Sequence, residues 1–473
     1  MFSVLKRFSR RAPVTAGVAA WLCLSLWACA VAAQTAAAPS APAGTRTVVV
    51  QGTDSTPDGL GLVAAVRAAA QWHPSVRNAA QQVLQADEGI AQARAGYYPQ
   101  VRAGIGSQLG NRNIGSYDSR RVNTATLSAS QMLYDFGKVS SAVGRAEASV
   151  EATRAQVLLS VDEVARDTAQ AWVDVHRQQA LAVIAREQLS SVEELAGRVN
   201  ERTRLGASSR SDSVQAQSRI ESARAQMLNA QAQAARGRIN LMLLTGRRSP
   251  GAAPVGIAGD APPWLDTACV ADASAQTPAP PPAVQLAQAQ RAVAQATVRQ
   301  AEAQRLPTLS LDGSVGRGIG ARSQLPGETS VNTTLGLNFS APLYEGGSGQ
   351  ARERAAVYAL SAADAALEQA QLTARVGFED AQAQSQGYTQ RLPVLAARVE
   401  SIRTTGDLYR QQYLQLGTRS LLDLLNAEQE YYAARQELIE SEHERQQQAL
   451  QCLLYTDRLR SAFGIDVTQG QTQ

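Results

Sequence analysis

The segments Leu133-Tyr134-Asp135-Phe136-Gly137 and Leu343-Tyr344-Glu345-Gly346-Gly347 are two versions of one motif, and each separates an alternating stretch from a long helical run. The surroundings of the motif recur as well. Tyr98-Pro99 and Leu306-Pro307 precede the two copies, and Leu205-Gly206 and Leu416-Gly417 follow them. Each landmark returns 208 to 211 residues later. A drift this small indicates duplication of one large unit.

The residues on the N-terminal side of each motif alternate between apolar and polar side chains. In the first unit the alternation covers residues 99–109 and 123–133, and in the second it covers 308–315 and 331–341. Polar, glycine-containing loops separate the two stretches of each unit. A period of two indicates strands with one apolar and one polar face. The sequence therefore predicts four strands, of about the length that crosses an outer membrane when tilted.

The residues after each motif have helical periodicity. Residues 137–204 contain no proline, and a helix of this length would extend about 100 Å. A heptad stripe over residues 157–199 is typical of a coiled coil. The second unit repeats the stripe over residues 367–409, where Pro393 predicts a kink or a join between two stacked helices. Another helix is predicted over residues 60–95, and each long helix should turn at its glycine into an antiparallel partner.

The ends of the chain and the join between the units have compositions of their own. Residues 1–33 combine a basic start with an uncharged stretch and predict a secretory signal peptide. The alternatives are a retained membrane anchor and a lipoprotein signal at Cys29. Residues 34–58 predict a flexible mature N-terminus, and the proline-rich residues 249–283 predict a linker. The remaining predicted divisions are a first structural repeat at 59–248, a second at 284–464 and a C-terminal tail at 465–473.

Charge and cysteine content limit the function further. The four basic residues of the signal peptide account for the formal net charge of +4, so the mature chain is near neutral. No basic stripe is left to bind nucleic acid. Cys269 and Cys452 are the two cysteines outside the signal. In an exported protein they can form one disulfide, or remain two inert thiols.

The number of strands predicts oligomerisation. Four strands cannot close a barrel, and an open sheet edge is not tolerated in lipid. Single-chain barrels need at least eight strands. Three identical copies of this chain would supply 12 strands and leave no edge.

The order and spacing of the motifs resemble the TolC family of outer-membrane efflux and secretion channels over about residues 60–464. The resemblance is carried by His73-Pro74 with Ala79, Tyr98-Pro99, Leu306-Pro307, Leu133 to Gly137, Ala341 to Gly347, Leu205 to Ser208 and Leu416 to Ser420. It implies an α+β membrane protein that assembles as a homotrimer. Its 12-stranded β-barrel would lie in the outer membrane of a Gram-negative bacterium and continue into a long periplasmic α-helical coiled-coil tunnel.

The resemblance is nearest to the type I secretion branch of that family. It implies a passive duct that takes a protein cargo, of the RTX-toxin type, from an inner-membrane ABC exporter and its periplasmic adaptor to the outside. Outer-membrane lipid is the other expected partner. No enzymatic activity, cofactor or metal is implied.

The resemblance also assigns roles to the two glycine turns at the periplasmic end. The family's gate and constriction residues match Ser211, Asp212, Arg419, Asp423 and Asn426. Its turns that contact the adaptor match Leu205, Gly206, Ser208, Leu416, Gly417 and Thr418. Two positions depart from the family. Asn426 replaces an aspartate, and Leu414 stands where the family has a tyrosine that helps to lock the tip, with Tyr413 adjacent in this chain.

Helix capping offers a second interpretation of the same aspartates. Ser209-x-x-Asp212 and Ser420-x-x-Asp423 both fit a capping box, and acidic residues are favoured in the first turn of a helix. The two roles can coexist.

Three other functions are alternatives to secretion. The three histidines, His73, His176 and His443, are far apart and no phosphate loop or nucleophile motif occurs, which argues against an enzyme. A periplasmic coiled-coil scaffold would explain the heptads but not the strands. Efflux of small molecules through the same kind of channel is the alternative within the family.

Overall fold

The computed structural model describes residues 48–51, 60–109, 121–247, 260–269, 279–319 and 331–469. The predicted signal peptide lies outside the described residues, as does most of the predicted flexible N-terminus. The packing reported below lies within the compact unit from Val48 to Thr468.

The described chain contains two copies of a helix–strand–strand–helix–helix order. The helices are α1 Leu62–Trp72, α2 Pro74–Arg94, α3 Lys138–Arg204, α4 Arg210–Leu244, α5 Pro282–Ala303, α6 Ser348–Gln411, α7 Leu421–Tyr455 and α8 Leu459–Phe463. The strands are β1 Val48–Gln51, β2 Gln100–Leu109, β3 Arg121–Tyr134, β4 Thr308–Ile319, β5 Val331–Ser340 and β6 Asp466–Gln469. Short 3₁₀ turns cover Ala95–Tyr97 and Pro263–Thr267, and a π-helical turn covers Gln412–Leu416.

The helix predicted over residues 60–95 is wrong in one respect, because it is divided into α1 and α2. His73 has an extended backbone, with φ −60° and ψ 133°, and Pro74 begins α2. Proline lacks the amide hydrogen that would continue α1, and it disfavours a helical conformation in the residue before it. The His73 ring caps the new helix by accepting from the Ser75 amide at 3.3 Å.

The four long strands form one antiparallel sheet in the order β2-β3-β4-β5. Their register collects the apolar residues on one face, as the alternation predicts. Ala103, Leu127 and Val315 form one row across three strands. Ser128 and Ser314 form the next row, on the opposite face. The sheet therefore has one apolar face and one polar face, as a membrane-crossing wall requires.

The LYDFG motif joins the sheet to α3 through a tight turn. Phe136 and Gly137 both have positive φ, 57° and 98°. Asp135 is buried, and its carboxylate accepts from the amides of Gly137 at 2.9 Å and Val139 at 2.5 Å. This acceptor satisfies the free amides at the start of the long helix. In the second copy Gly346 and Gly347 provide the same turn.

The heptad stripe of α3 is its buried side. Nearly every stripe residue from Val157 to Val199 is buried or half-buried. The helix α3 packs against α1, α2, α4, α5 and α7. The second long helix, α6, packs against α5 and α7 but buries few residues within one chain. It continues through Pro393, so the prediction that a join between helices lies there is wrong.

A compact core surrounds the middle of α3 and holds the C-terminal segment. Trp172 is fully buried and its indole donates to the Leu60 carbonyl at 2.9 Å. Phe463 of α8 is buried in the same cluster. Asp162 of α3 is fully buried and pairs with Arg460 at 3.1 Å, which also pairs with Asp457 at 2.5 Å.

Three of the predicted boundary segments contain regular structure. β1, inside the segment predicted to be flexible, pairs with β6, inside the predicted tail. The predicted linker contains the Pro263–Thr267 turn, whose Leu265 is buried in the core. Backbone pairing of the two strands and burial of Leu265 account for this regular structure, which the composition of the segments did not indicate. Cys269, just after this turn, forms a disulfide with Cys452 of α7.

Candidate functional site

The two glycine turns connect α3 to α4 and α6 to α7. Gly206 and Gly417 both have positive φ, 77° and 65°, a conformation that glycine adopts without strain. Leu205 and Leu416, beside them, are exposed apolar side chains. Of the other residues predicted to contact an adaptor, Thr418 is exposed and Ser208 is half-buried.

Asp212 caps helix α4 and also bonds to the turn before it. Its carboxylate accepts from the Ser209 amide, and the Ser209 hydroxyl accepts from the Asp212 amide, each at 3.1 Å. The Ser208 hydroxyl donates to the same carboxylate at 2.8 Å. The hydrogen bond from Ser208, helped by those from Ser209, lowers the pKa of Asp212. The first turn thus carries a fixed negative charge, and the predicted capping role is present in the geometry.

Tyr413 connects the second turn to the first. Its ring is buried, and its hydroxyl lies 3.3 Å from the Ser208 hydroxyl that bonds to Asp212. Arg202 lies over the same ring at 5.1 Å and donates to the Leu414 carbonyl at 3.0 Å. The sequence match placed Leu414 at the family's tyrosine position, whereas the structure brings the neighbouring Tyr413 to the first turn.

Arg419 and Asp423 interact with each other on the second turn. Their closest nitrogen and oxygen atoms are 3.6 Å apart. The Arg419 guanidinium lies 4.0 Å from the centre of the Tyr409 ring, a cation–π contact. Ser420 caps α7 by accepting from the Asp423 amide at 3.2 Å.

The remaining predicted gate residues have other partners. In the described part of a single chain, neither Ser211 nor Asp212 bonds to Arg419. Ser211 is exposed, and its hydroxyl lies 2.7 Å from that of Ser209. Asn426 accepts from Arg219 of α4 at 3.3 Å.

An apolar cluster supports both turns from within the helices. It joins residues of α3, α4, the π turn and α7, so the two hairpins share one small core. Its buried members are Val192, Leu195, Ala196, Val199, Ala216, Ile220, Tyr413, Leu421, Leu424 and Leu425.

Exposed aromatic side chains surround the junction between the sheet and the helices. They are Tyr97, Tyr98, Tyr134, Phe136 and Tyr344. Tyr134 and Phe136 contact each other edge to face at 4.6 Å between ring centres. Aromatic girdles of this kind lie at membrane–water interfaces. Sequence reasoning missed this belt, although the aromatic residues that flank the strands were its signal.

The two sheet–helix junctions differ in exposure. In the first, Leu133 and Tyr134 are 49% and 58% exposed, while in the second Leu343 and Tyr344 are 94% and 89% exposed. The first is covered by the start of β4, where Lys138 donates to the Thr308 hydroxyl at 2.7 Å. The second junction has no such cover within the described residues of one chain.

Two other kinds of site are absent from the described residues. None of the described helices is both long and apolar enough to span a bilayer. In the same residues no three histidine, cysteine or acidic side chains are grouped so as to hold a metal ion.

Comparison with known proteins places this architecture in a family. The family described as outer membrane efflux protein matches residues 65–247 and 276–454, one segment for each repeat. Protein CyaE of Bordetella pertussis is 26% identical over 388 residues, covering 80% of each chain. Outer membrane efflux protein BepC of Brucella suis is 23% identical over 360 residues, covering 76% of each.

The fold is shared with solved structures. The outer membrane protein VceC of Vibrio cholerae has a TM-score of 0.70 at 18% identity, covering 86% of this chain and 97% of that one. The predicted tunnel fold and the resemblance to TolC-type channels are therefore confirmed. The chain belongs to the outer membrane efflux protein family.

Proposed function

We propose that three copies of this chain form a passive duct through the outer membrane, and that the duct exports a protein. The family places the chain in the outer membrane, with most of its length in the periplasm. The observation that carries the proposal is the unfinished sheet. In one chain β2 and β5 are its edges, and its apolar face is exposed. In lipid, unpaired backbone groups at such edges would each cost several kcal/mol.

The duplication supports closure by identical copies. Within one chain the second repeat covers the junction of the first, leaving Leu343 and Tyr344 of the second junction open. Because the repeats share one layout, the first repeat of a neighbouring copy can cover that second junction in the same way. The edges β5 and β2 of successive copies then pair, and three copies complete 12 strands.

The tip is proposed as the gate of this duct. Arg419 and Asp423 lie on the turn that leads into α7, and Asp212 lies on the turn of the other hairpin. Arg419 would bond to Ser211 and Asp212 of a neighbouring copy and hold the hairpins together. Three Asp423 carboxylates near a threefold axis would repel one another and attract cations.

The preferred cargo is a protein, delivered to the duct by an inner-membrane ABC exporter and a periplasmic adaptor. The resemblance of the motifs to the type I secretion branch supports this choice. The exposed turns at Leu205, Gly206, Leu416 and Gly417 would meet the adaptor. Small-molecule efflux is the second candidate, and it is favoured by the similarity to outer membrane efflux protein BepC and by membership of the outer membrane efflux protein family.

Reconstitution tests the duct. Mature protein purified from outer membranes should migrate as a heat-sensitive oligomer and give discrete conductance steps in planar lipid bilayers. A monomer that stays in the soluble fraction and never conducts would refute the proposal. Cargo is tested separately by deleting the gene. Loss of export of a secreted protein would support protein export, and increased sensitivity to drugs would support small-molecule efflux.

Arg419→Ala tests the gate. Loss of the guanidinium removes its pairing with Asp423 and any bond to a neighbouring copy, so the closed–open equilibrium shifts and mean conductance per channel should rise by about fivefold. Arg204, exposed at the end of α3 and paired with Glu201, provides the matched control substitution. Equal conductance of Arg419→Ala and wild-type channels would remove Arg419 from the gate.

A further inference from the structure

Above the tip, a buried carboxylate connects three helices. Glu428 of α7 is 7% exposed, and both of its oxygens are bonded. One accepts from Arg410, in the last turn of α6. The other accepts from the hydroxyl of Ser191 on α3 at 3.1 Å. Arg410 also lies 3.5 Å from that hydroxyl, so the three side chains form one closed cluster.

The cluster is placed where the gate hairpin meets the rest of the tunnel. Arg410 lies two residues before the π turn, and Glu428 follows Asp423 by little more than one helical turn. Ser191 belongs to the first repeat. The cluster therefore links both arms of the hairpin that carries Arg419 and Asp423 to a helix of the other repeat.

Among the described residues, the corresponding positions of the first repeat form no such charged link. These positions are Asn200, at the end of α3, and Gln217, on α4. Both are uncharged and exposed, and both bond within their own hairpin. Asn200 accepts from Ser213 at 2.5 Å, and Gln217 donates to Glu221 at 2.8 Å. The buried ion pair is thus a property of the second hairpin.

Packing around the cluster leaves room for movement. A cavity of about 320 Å³ lies beside it, lined in part by Ser191, Gly406, Arg410, Glu428 and Tyr431. The apolar cluster of the two hairpins packs beside these residues, at Val192 and Leu425. On the cavity side, α6 reaches α3 through the polar contacts of Arg410 and Glu428 with Ser191. A charge-assisted hydrogen bond to a buried carboxylate is both strong and directional.

We infer that Glu428, with Arg410 and Ser191, forms a positioning cluster that holds the α6–α7 hairpin against α3 and so sets the resting width of the periplasmic entrance. The inference rests on the proposed function, since it requires the tip to be a gate. Breaking the cluster leaves Arg410 without its buried partner and releases the hairpin toward a wider entrance.

Glu428→Gln tests the cluster, with Glu437→Gln as its matched control. Glu437 lies on the same helix and also pairs with arginines of α6, Arg391 and Arg398, but it is more exposed and has no partner on α3 among the described contacts. Loss of this charge-assisted hydrogen bond shifts the closed–open equilibrium, so mean conductance per channel in planar bilayers should rise by about fivefold for Glu428→Gln and remain unchanged for Glu437→Gln. Ser191→Ala keeps both charges and removes only the Ser191 hydrogen bond, so it should raise mean conductance by about twofold.

The melting temperature of the oligomer is measured alongside conductance. A merely structural role would lower the melting temperature of Glu428→Gln and leave the conductance of assembled channels unchanged, and that result would overturn the inference. If Glu428→Gln does not assemble, unchanged conductance of Ser191→Ala overturns it instead. A wild-type protein that never conducts would refute the proposed duct itself. If the wild-type protein conducts and the variants Glu437→Gln, Glu428→Gln and Ser191→Ala all have the same conductance, only the role of the cluster is refuted.

Discussion

Reduction of the disulfide between Cys269 and Cys452 should destabilise the chain by an amount that its position allows us to work out. Cys269 follows the Pro263–Thr267 turn, and Cys452 is fully buried near the end of α7. Gln382 of α6 donates to the Cys269 carbonyl at 3.2 Å, and Phe378 and Ala381 of α6 pack on the sulfurs. The bond therefore ties the join between the repeats to the last long helix.

The magnitude follows from the loop that the bond closes. The two cysteines are 183 residues apart, a span that contains nearly the whole second repeat. For a loop of this length the chain-entropy relation gives a loss of about 5 kcal/mol per protomer when the bond is opened. With an unfolding entropy of about 2.1 cal/mol/K per residue over the compact unit, the melting temperature should fall by about 6 °C.

Circular dichroism of the purified oligomer in detergent, heated with and without a reductant, measures this shift. Alkylation of the freed thiols and mass measurement show that the bond has opened. The double variant Cys269→Ser with Cys452→Ser should melt at the lower temperature whether or not reductant is present. A fully reduced wild-type protein that melts at the same temperature as the oxidised one would refute the loop-entropy argument.

Two further predictions concern the core and the assembly. Burial, opposed by Arg460, raises the pKa of Asp162 to about 7 from its ordinary 3.8. At a pH between these two pKa values, the Asp162 carboxyl keeps its proton in the folded chain and releases it in the unfolded chain. The contribution of Asp162 to the free energy of unfolding therefore falls as the pH rises from about 4 to 7. The melting temperature of Asp162→Asn relative to wild type should rise across that window, and parallel curves would contradict the assignment. Tyr344→Ser should weaken the heat-sensitive oligomer more than Tyr134→Ser, because Tyr344 lies at the junction left open for a neighbouring copy; equal losses on denaturing gels at graded temperatures would count against that interface.

Periodicity was sufficient to predict the long elements of the fold. The four strands and the long helices α3 and α6 occur where alternation and heptads indicate them, because side-chain spacing reports directly on which face is buried. Pro74 is a sequence signal for a helix break, but the helical pattern on both sides of it favoured one continuous helix. The formation of strands β1 and β6, by contrast, depends on pairing between residues more than 400 positions apart. No local sequence pattern reveals such pairing.

The site was less predictable than the fold, because its residues act through partners from other helices. Asp212 was identified both as a cap and as a gate residue, and its capping bonds are present. The burial of Glu428 could not be read from its sequence neighbours, which include other acidic and polar residues. It results from the approach of α3 to α7, and that approach depends on how the two repeats pack.

The small change in spacing between the two repeats has a structural counterpart at the proposed gate. Tyr134 and Tyr344 are 210 residues apart, whereas Gly206 and Gly417 are 211 apart, so the second unit contains one additional residue between these landmarks. A π-helical turn accommodates one more residue than an α-helical turn, and the structure has such a turn at Gln412–Leu416. Counting back from Gly417 assigns Leu414 to the family's tyrosine position, while the widened turn directs Tyr413 toward Ser208. The inserted residue thus explains why Tyr413, and not Leu414, reaches the first turn. It also makes the second hairpin locally different from the first at the level where the charged Glu428 cluster occurs, so that a duplicated sequence produces two unequal hairpins at the proposed gate.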